Sequence, residues 1–451
     1  MHCQKNLNFA IRSIQKMKEL IKKSFCIVTV MLLSALFLQT TWHFSDYMKL
    51  KNDSKSCEKP KLTFKNYCDG IFQKQVDDYL RENYATRAIV IRARNQYDYT
   101  FKNKKTCAPF LLPGKDNWMY YRPGVLDYYG LEAPVHFKSD QELRDFVDNQ
   151  VDMLNELRGI LKNEYGIELL SFIGPDKPFI YPEHLPEMER DTTMGNAADY
   201  FAQRFAETGF PNIDMKPWYQ AIADTSRRLL FMPMDSHWQY ASVWGYDSLF
   251  RFMNSLNDFG IPQMKINGIK ESKFKGRQDD EATLNLLFKV PNRTPLYTAD
   301  ISVISDSTSR KPRVLFVGDS FIFAYEWLIP KKEMTSYYES WFYYDNVYKG
   351  FDKKRKYKIQ DINRLRSILD VDFIVVYSVG YQWYLGTRGF VEDALESIKD
   401  PYQVKVAQTM NRIEKDRSWM KMITDKAKDK GFTVEKMLEL DAKWIIEHEN
   451  K

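Results

Sequence analysis

The chain contains few cysteines and histidines, the residues on which small disulfide-rich domains and metal-binding domains depend. Only 5 of its 451 residues are Cys and 6 are His, and no Cys/His cluster has the spacing of a zinc site. It contains no internal repeat and no low-complexity segment, which argues against repeat and fibrous classes. With 28% charged and 44% hydrophobic residues, the composition is that of a globular protein. Neither a metal nor a cofactor is indicated.

The body of the chain also lacks a net charge. The whole chain carries +6, but residues 1–24 hold six Lys and Arg against one Glu, which leaves about +1 for residues 25–451. A nucleic-acid-binding protein presents a positively charged surface on its folded domain. The sequence therefore argues against a nucleic-acid partner.

One apolar run follows the basic segment. Residues 25–38 contain no charge, and the aromatic Trp42 ends the stretch. The run fits the h-region of a cleaved signal peptide or an uncleaved anchor, and the long basic segment before it favours the anchor. The positive-inside rule then predicts a cytoplasmic segment at 1–24, a transmembrane signal anchor at 25–42, and a single-pass cell-membrane protein whose remainder is extracytoplasmic.

Three cysteines, Cys57, Cys68 and Cys107, lie in the part of the chain that would be exported. Pairing of Cys68 with Cys57 or with Cys107 would cross-link the region near the membrane. Three reduced thiols are the alternative.

Residues 43–110 and 396–451 flank the main domain. Polar residues at 44–64 without an apolar period indicate a stalk, and helical spacing over 67–95 predicts two helices after it. After Pro401, helix-forming residues run to the end without a strand-like stretch. We expect two or more C-terminal helices that pack onto the main domain, with a partner-binding tail as the alternative.

The segment 111–395 alternates helix and strand patterns. Apolar residues at helical spacing over 141–161 are followed by short apolar runs at 167–173, 314–317 and 373–377. Such strands, separated by helices, indicate a parallel sheet covered on both faces. We therefore expect an α/β domain here.

Two segments carry the residue types of nucleophilic catalysis. In the first, an extended chain would point Asp235 and His237 to one side, so that the carboxylate holds the imidazole as a base. In the second, Ser320 follows the apolar run 314–317, which places it at the carboxyl end of a parallel strand, where α/β sheets bind ligands. Gly318 would let substrate approach the backbone, and amides after Asp319 would stabilise an oxyanion.

Each segment alone also has a structural interpretation. His237 fits a hydrogen-bonded core residue, and Asp319 and Ser320 are good helix caps. Of the exported histidines, only His237 has a carboxylate two residues away. Taken together, the two segments favour a triad of Ser320, His237 and Asp235.

The motifs resemble the SGNH hydrolase superfamily in the reversed order of the alginate O-acetyltransferase group and its DHHW relatives, with Asp-x-His before GDS. LLPGKDNWMYY from residue 111 resembles that group's GKDGWLFY segment, and GPDKPFIYPEHLP from residue 174 resembles its PDK and YPE.LP segments. Five ordered motifs extend over about residues 67–380, with Ser236 in place of the second residue of DHHW.

The resemblance implies a membrane-anchored, extracytoplasmic O-acetyltransferase that modifies a polysaccharide through an acyl-enzyme on Ser320. An integral membrane O-acyltransferase would supply acetyl. A carbohydrate acetylesterase with the same triad is the first alternative, and a non-catalytic glycan-binding or assembly subunit is the second. Among aromatic side chains able to stack on a sugar, Trp238, Tyr337 and Trp341 are the candidates.

Overall fold

The computed structural model describes residues 17–31, 33–34, 50–52, 58–83, 87–102, 108–273, 277–290, 294–351 and 356–448. The chain divides into two units. The first consists of residues 1–108 with 277–292, and the second consists of residues 109–276 with 293–451.

The described strands are β1 (Leu111–Pro113), β2 (Met119–Tyr121), β3 (Glu168–Gly174), β4 (Asn212–Asp214), β5 (Gln263–Glu271), β6 (Tyr297–Ile304), β7 (Arg313–Gly318), β8 (Tyr337–Phe342), β9 (Asn346–Lys349), β10 (Lys356–Lys358) and β11 (Phe373–Val379).

The described helices after residue 60 are α1 (Phe64–Cys68), α2 (Ile71–Asn83), α3 (Arg87–Phe101), α4 (Arg122–Tyr128), α5 (Ala133–His136), α6 (Asp140–Tyr165), α7 (Lys177–Ile180), α8 (Ala197–Thr208), α9 (Lys216–Ala223), α10 (Ser242–Asn257), α11 (Asp279–Thr283), α12 (Phe323–Leu328), α13 (Lys331–Met334), α14 (Arg364–Ile368), α15 (Phe390–Ile398), α16 (Pro401–Lys415), α17 (Arg417–Lys430) and α18 (Val434–His448).

Seven strands of the second unit form one sheet in the order β10-β9-β8-β7-β11-β3-β4. The strands β8, β7, β11, β3 and β4 run parallel to one another, whereas β9 pairs antiparallel with both β8 and β10. The three strands predicted from apolar runs, β3, β7 and β11, lie side by side at its centre. The predicted α/β architecture is confirmed.

Both faces of this sheet are covered. Along β11, Ile374 and Val376 join one apolar cluster with residues of α6, α8 and α15, whereas Val375 and Tyr377 join another with residues of α10. This division follows from the two-residue period of a strand, which points successive side chains to opposite faces. The central strands are therefore apolar on both faces over most of their length.

The long helix α6 begins and ends where its sequence dictates. The Ser139 side chain accepts a hydrogen bond from the Glu142 N–H at the start, and Gly166 ends the helix with a φ of 70°. Glycine adopts this left-handed conformation without a steric penalty. The helix includes residues 141–161, where apolar spacing predicted one, and its apolar residues lie against β3 and α8.

The C-terminal helices α16, α17 and α18 share an apolar cluster of their own. They attach to the sheet domain through the buried Arg366 of α14, whose Nε donates to Asn411 at 3.0 Å and whose Nη1 donates to Glu435 at 2.7 Å. The expected packing onto the main domain is therefore present.

The first unit joins the helices near the N-terminus to an inserted segment. Arg92 and Asn95 of α3 donate to the main-chain oxygens of Leu286 and Leu284, at 3.0 and 3.1 Å. The α3 helix has no buried residue, whereas Leu284 and Leu286 of the inserted segment are buried.

The predicted anchor at 25–42 lies only partly within the described residues. Residues 17–31 are helical, and residues 32 and 35–42 lie outside the description. Among the described residues, no helix has both the length and the apolar character needed to cross a membrane. Cys68 is a free, exposed thiol, and its candidate partners Cys57 and Cys107 also lie outside the described residues.

Candidate active site

Ser320 lies at the carboxyl end of the central strand β7. That strand ends at Gly318, Asp319 caps a short 3₁₀ helix over Ser320–Ile322, and the half-buried Ser320 is the first residue of this helix. Because β8 and β11 run parallel to β7 on either side, this is the sheet edge at which α/β proteins bind ligands. Ser320 thus lies where the sequence predicts.

Gly318 is required by strand packing. A Cβ at this position would lie 1.9 Å from the main-chain oxygen of Tyr377 on β11. We expected its missing side chain to let substrate approach the backbone. The space is instead taken by the neighbouring strand, so this expectation is not supported.

Asp319 is a buried cap. Its Oδ1 accepts a hydrogen bond from the Phe321 N–H at 2.9 Å, and its Oδ2 accepts one from the Val379 N–H at 2.8 Å. Burial raises the pKa of the Asp319 carboxyl, and these two bonds oppose that change. Asp319 joins the turn after β7 to the end of β11, and it occupies the Phe321 amide that was expected to serve an oxyanion.

His237 lies between Asp235 and Ser320. Its Nε2 is 3.0 Å from Ser320 Oγ, and its Nδ1 is 3.3 Å from Asp235 Oδ1. The side chain of Asp235 is 3% exposed, whereas that of His237 is 36% exposed. In this arrangement a carboxylate can orient an imidazole, and the imidazole can take the proton of a hydroxyl.

Asp235 and His237 face each other for a reason that differs from the prediction. The segment is a bend and not an extended strand. Oδ1 of Asp235 accepts the His237 N–H at 2.9 Å, which is the geometry of an Asx turn. The side chain of Gln239 donates to the other carboxylate oxygen, and no pattern in the sequence indicated this contact.

Lys177, from the PDK segment, is bound to the main chain around Asp235. Its side chain is buried, and Nζ donates to the main-chain oxygens of Met119, Met232, Pro233 and Asp235 at 2.6, 2.8, 2.9 and 3.0 Å. The sequence marked this lysine only through the motif resemblance. Its residue type and spacing alone give no indication of a role at the site.

The preceding residue, Asp176, binds the turn that follows β11. Its Oδ2 accepts the Tyr381 N–H at 2.9 Å, and a Cβ on Gly380 would lie 2.2 Å from the same oxygen. Complete burial, together with the nearby Asp127, raises the pKa of Asp176. The PDK segment therefore contacts both the segment that carries Asp235 and the turn after β11.

Tyr343 directly follows β8 and lies beside the end of β7 that precedes Ser320. Its N–H donates to the Gly318 oxygen at 2.7 Å, and partial burial raises the pKa of the Tyr343 hydroxyl to about 12. The Arg388 guanidinium lies 4.8 Å from the ring centre. Tyr343 and Arg388 both have positive φ, 53° and 57°, a strain that is enriched at functional sites.

None of the three aromatic residues predicted to bind substrate is placed to stack on a sugar at Ser320. Trp238 and Trp341 are 0% exposed, so neither ring can stack on a ligand. Tyr337 begins β8 opposite Arg313, whereas Ser320 follows the other end of β7. The hydroxyl of Tyr337 donates to the buried Glu339 at 3.0 Å. These placements contradict the predicted stacking role.

Two other histidines, His136 and His184, pair with acids at other places. His136 lies 3.1 Å from a Glu132 oxygen, and His184 lies 3.0 Å from an Asp116 oxygen. Within the described part of the chain, no group of three His, Cys, Asp or Glu side chains is arranged to hold a metal ion.

Comparison with known proteins identifies a family for the region that contains the site. Residues 111–330 match the family model described as SGNH hydrolase-like domain, acetyltransferase AlgX. This stretch includes Asp235, His237 and Ser320. The resemblance predicted from the motifs is thereby confirmed for these residues. No curated protein sequence matches the chain.

Solved structures of low sequence identity are also similar. The O-acetyltransferase domain of Pseudomonas putida AlgJ is 13% identical, with a TM-score of 0.34, over 64% of this chain and 87% of that one. Pseudomonas aeruginosa AlgX is 14% identical, with a TM-score of 0.37, over 66% and 70%. Bacillus cereus PatB1 is 11% identical, with a TM-score of 0.35, over 60% and 96%. Because these TM-scores are below 0.5, the similarities add nothing to the assignment of function.

Proposed function

We propose that the chain transfers acetyl groups to hydroxyl groups of a glycan through an acyl-enzyme on Ser320. The observation that carries this proposal is the chain of contacts from Asp235 through His237 to Ser320, at 3.3 and 3.0 Å. The match of residues 111–330 to an acetyltransferase family supports acetyl as the group transferred.

In the first step, Ser320 Oγ attacks the carbonyl carbon of the acetyl donor while His237 Nε2 takes the hydroxyl proton. The negative charge of Asp235 stabilises the imidazolium that forms. The tetrahedral intermediate then expels the donor's leaving group, which receives the proton from His237. The products are acetyl-Ser320 and the free donor alcohol.

In the second step, His237 takes a proton from a sugar hydroxyl, whose oxygen attacks acetyl-Ser320. Collapse of the second tetrahedral intermediate breaks the bond to Ser320 Oγ, which regains its proton from His237. The sugar ester leaves, and the enzyme returns to its starting protonation state.

A carbohydrate acetylesterase is the second candidate, and one observation favours it. The His237 side chain is 36% exposed, so water has access to the base that would activate the acceptor. Incubating the purified full-length chain with an acetyl ester and candidate oligosaccharides distinguishes the two. Acetylated sugar supports transfer, whereas free acetate alone with every acceptor would identify an esterase.

The role of Ser320 is tested by Ser320→Ala beside a matched control, Ser340→Ala. Ser340 is fully buried in β8, the strand beside β7, so its substitution reports the effect of losing a nearby serine that lies outside the site. Ser320→Ala should abolish acetyl transfer and Ser340→Ala should retain it. Unchanged glycan acetylation in cells carrying Ser320→Ala would instead favour a non-catalytic assembly subunit.

The site is further proposed to work outside the cytoplasm, on a chain held at the cell membrane by residues 25–42, with acetyl delivered by an integral membrane O-acyltransferase. The charge asymmetry of the N-terminal segment supports this topology, because positive charge favours the cytoplasmic side of a membrane segment. A reporter fused after the last residue should be exported, and the mature chain should keep its N-terminus. A mature N-terminus near residues 39–45 would show cleavage instead.

A further inference from the structure

The buried ammonium of Lys177 is the meeting point of three separated segments. Lys177 begins α7, after the central strand β3. It binds the oxygen of Met119 on β2 and three oxygens from the segment 232–235. Its Nζ also lies 5.0 and 4.9 Å from the ring centres of Trp118 and Tyr120.

Electrostatics explains why these contacts fix the backbone. A buried ammonium is strongly destabilising unless its N–H groups are hydrogen-bonded, and charged hydrogen bonds are the stronger ones. Three of the four acceptors lie within the four residues 232–235. Turning any of these peptide groups away would leave both a carbonyl and the ammonium less well solvated.

The segment held in this way ends at Asp235. The main-chain oxygen of Asp235 faces Lys177 at 3.0 Å, while its side chain accepts from the N–H of His237 at 2.9 Å. The backbone conformation at Asp235 therefore determines where the imidazole lies relative to Ser320. A second contact fixes the same segment, residues 232–235, because the Met119 N–H donates to the Pro233 oxygen at 2.8 Å.

We propose that Lys177 is a positioning residue for the triad, one that fixes the backbone of residues 232–235 and thereby holds His237 in hydrogen-bond reach of Ser320. This inference rests on the proposed function for its effect on turnover. Lys177 acts through main-chain carbonyls and takes no part in bond making.

The test compares Lys177→Met with Lys349→Met in the full-length chain. Methionine keeps the apolar stem and removes the ammonium. Lys349 is a matched control because its side chain is only 15% exposed and pairs with a buried carboxylate, that of Glu339, at 3.7 Å. We expect Lys177→Met to lower kcat for acetyl-ester hydrolysis by about 100-fold, the typical effect of a displacement of about 1 Å, with KM changed less than about twofold. Lys349→Met should keep wild-type kcat.

A spectroscopic measurement tests the geometry without relying on activity. In the wild type, the proton between His237 Nδ1 and Asp235 should give a downfield resonance in the NMR spectrum, assigned by its loss in His237→Gln. Lys177→Met should broaden or remove this signal, and Lys349→Met should keep it. Lys177→Gln, which retains two N–H donors, should show an intermediate effect on the signal and on kcat.

The outcomes separate the two proposals. If Ser320→Ala keeps wild-type hydrolysis, the proposed function fails, and the His237 resonance still tests the positioning. If Ser320→Ala is inactive while folded Lys177→Met keeps both kcat and the resonance, only the positioning role is overturned. Loss of the native near-ultraviolet circular dichroism in both Lys177 variants, with Lys349→Met folded, would assign Lys177 to fold stability and also overturn it.

Discussion

Replacing Asp235 with asparagine separates the chemistry of the site from its stability. The carboxylate accepts from the N–H and Nδ1 of His237 and from the side-chain amide of Gln239. An asparagine has one acceptor oxygen. If that oxygen serves His237, the NH₂ group of residue 235 faces the NH₂ group of Gln239, and a flip of the Gln239 amide relieves the conflict.

The expected effects differ strongly in size. Loss of charged hydrogen bonds at a buried carboxylate costs about 1–3 kcal/mol of unfolding free energy, which a domain stable by about 5–15 kcal/mol survives. The corresponding change in other Ser-His-Asp enzymes lowers kcat by about 10⁴, or about 5.4 kcal/mol of transition-state stabilisation. Folded Asp235→Asn should therefore be nearly inactive.

The assay measures acetyl-ester hydrolysis and melting temperature on the same samples, for Asp235→Asn, Gln239→Ala and the double variant. Because a flip of the Gln239 amide already relieves the donor conflict, the double variant should be no more stable than Asp235→Asn and should recover no activity. Activity that follows the folded fraction in all three variants would refute the reasoning, because Asp235 would then be only a buried structural partner.

Three further predictions concern the surroundings of the site. Gly318→Ala should destabilise the fold by about 1–3 kcal/mol, measured by urea unfolding, because its Cβ would meet the Tyr377 oxygen at 1.9 Å; an unchanged midpoint would contradict the strand contact. Burial raises the pKa of Asp127 to about 7, above its unfolded value, so stability is lost as pH rises from about 4 to 7; Asp127→Asn should raise the melting temperature more at pH 8 than at pH 5, and an equal shift at both would contradict it. Tyr343, whose N–H binds the Gly318 oxygen at the end of β7, is placed to offer one neutral hydrogen bond to a ligand beside Ser320, so Tyr343→Phe should lower kcat/KM by about two- to tenfold, and wild-type kinetics would exclude a role for that hydroxyl.

The centre of the fold was predictable because its strands are buried on both faces. β3, β7 and β11 are short apolar runs, and such runs indicate parallel strands covered by helices. The edge of the sheet was not predicted. Tyr337 and Trp341 of β8 were predicted to stack on a sugar, yet Trp341 is a buried strand residue and Tyr337 pairs with Arg313 at the far end of β7. Composition shows that aromatic residues are present, but it does not show which of their side chains are buried in the sheet.

Part of the site was predictable because its residues carry recognisable chemistry. Ser320 follows a predicted strand, and Asp235 and His237 are close in sequence, so both segments could be found separately. Their meeting across 83 residues depends on tertiary structure, as does the contact of Gln239 with Asp235.

The residues that escaped prediction act on the main chain. The four acceptors of Lys177 are carbonyl oxygens, and every residue has a carbonyl, so no side-chain pattern marks where such a lysine will bind. The same is true of Asp176, whose partner is the Tyr381 N–H. A contact between two side chains requires complementary residue types, which can be recognised in a sequence. A contact from a side chain to the main chain places no such requirement on its partner. Only the three-dimensional structure therefore explains why the PDK segment places an aspartate and a lysine together after β3.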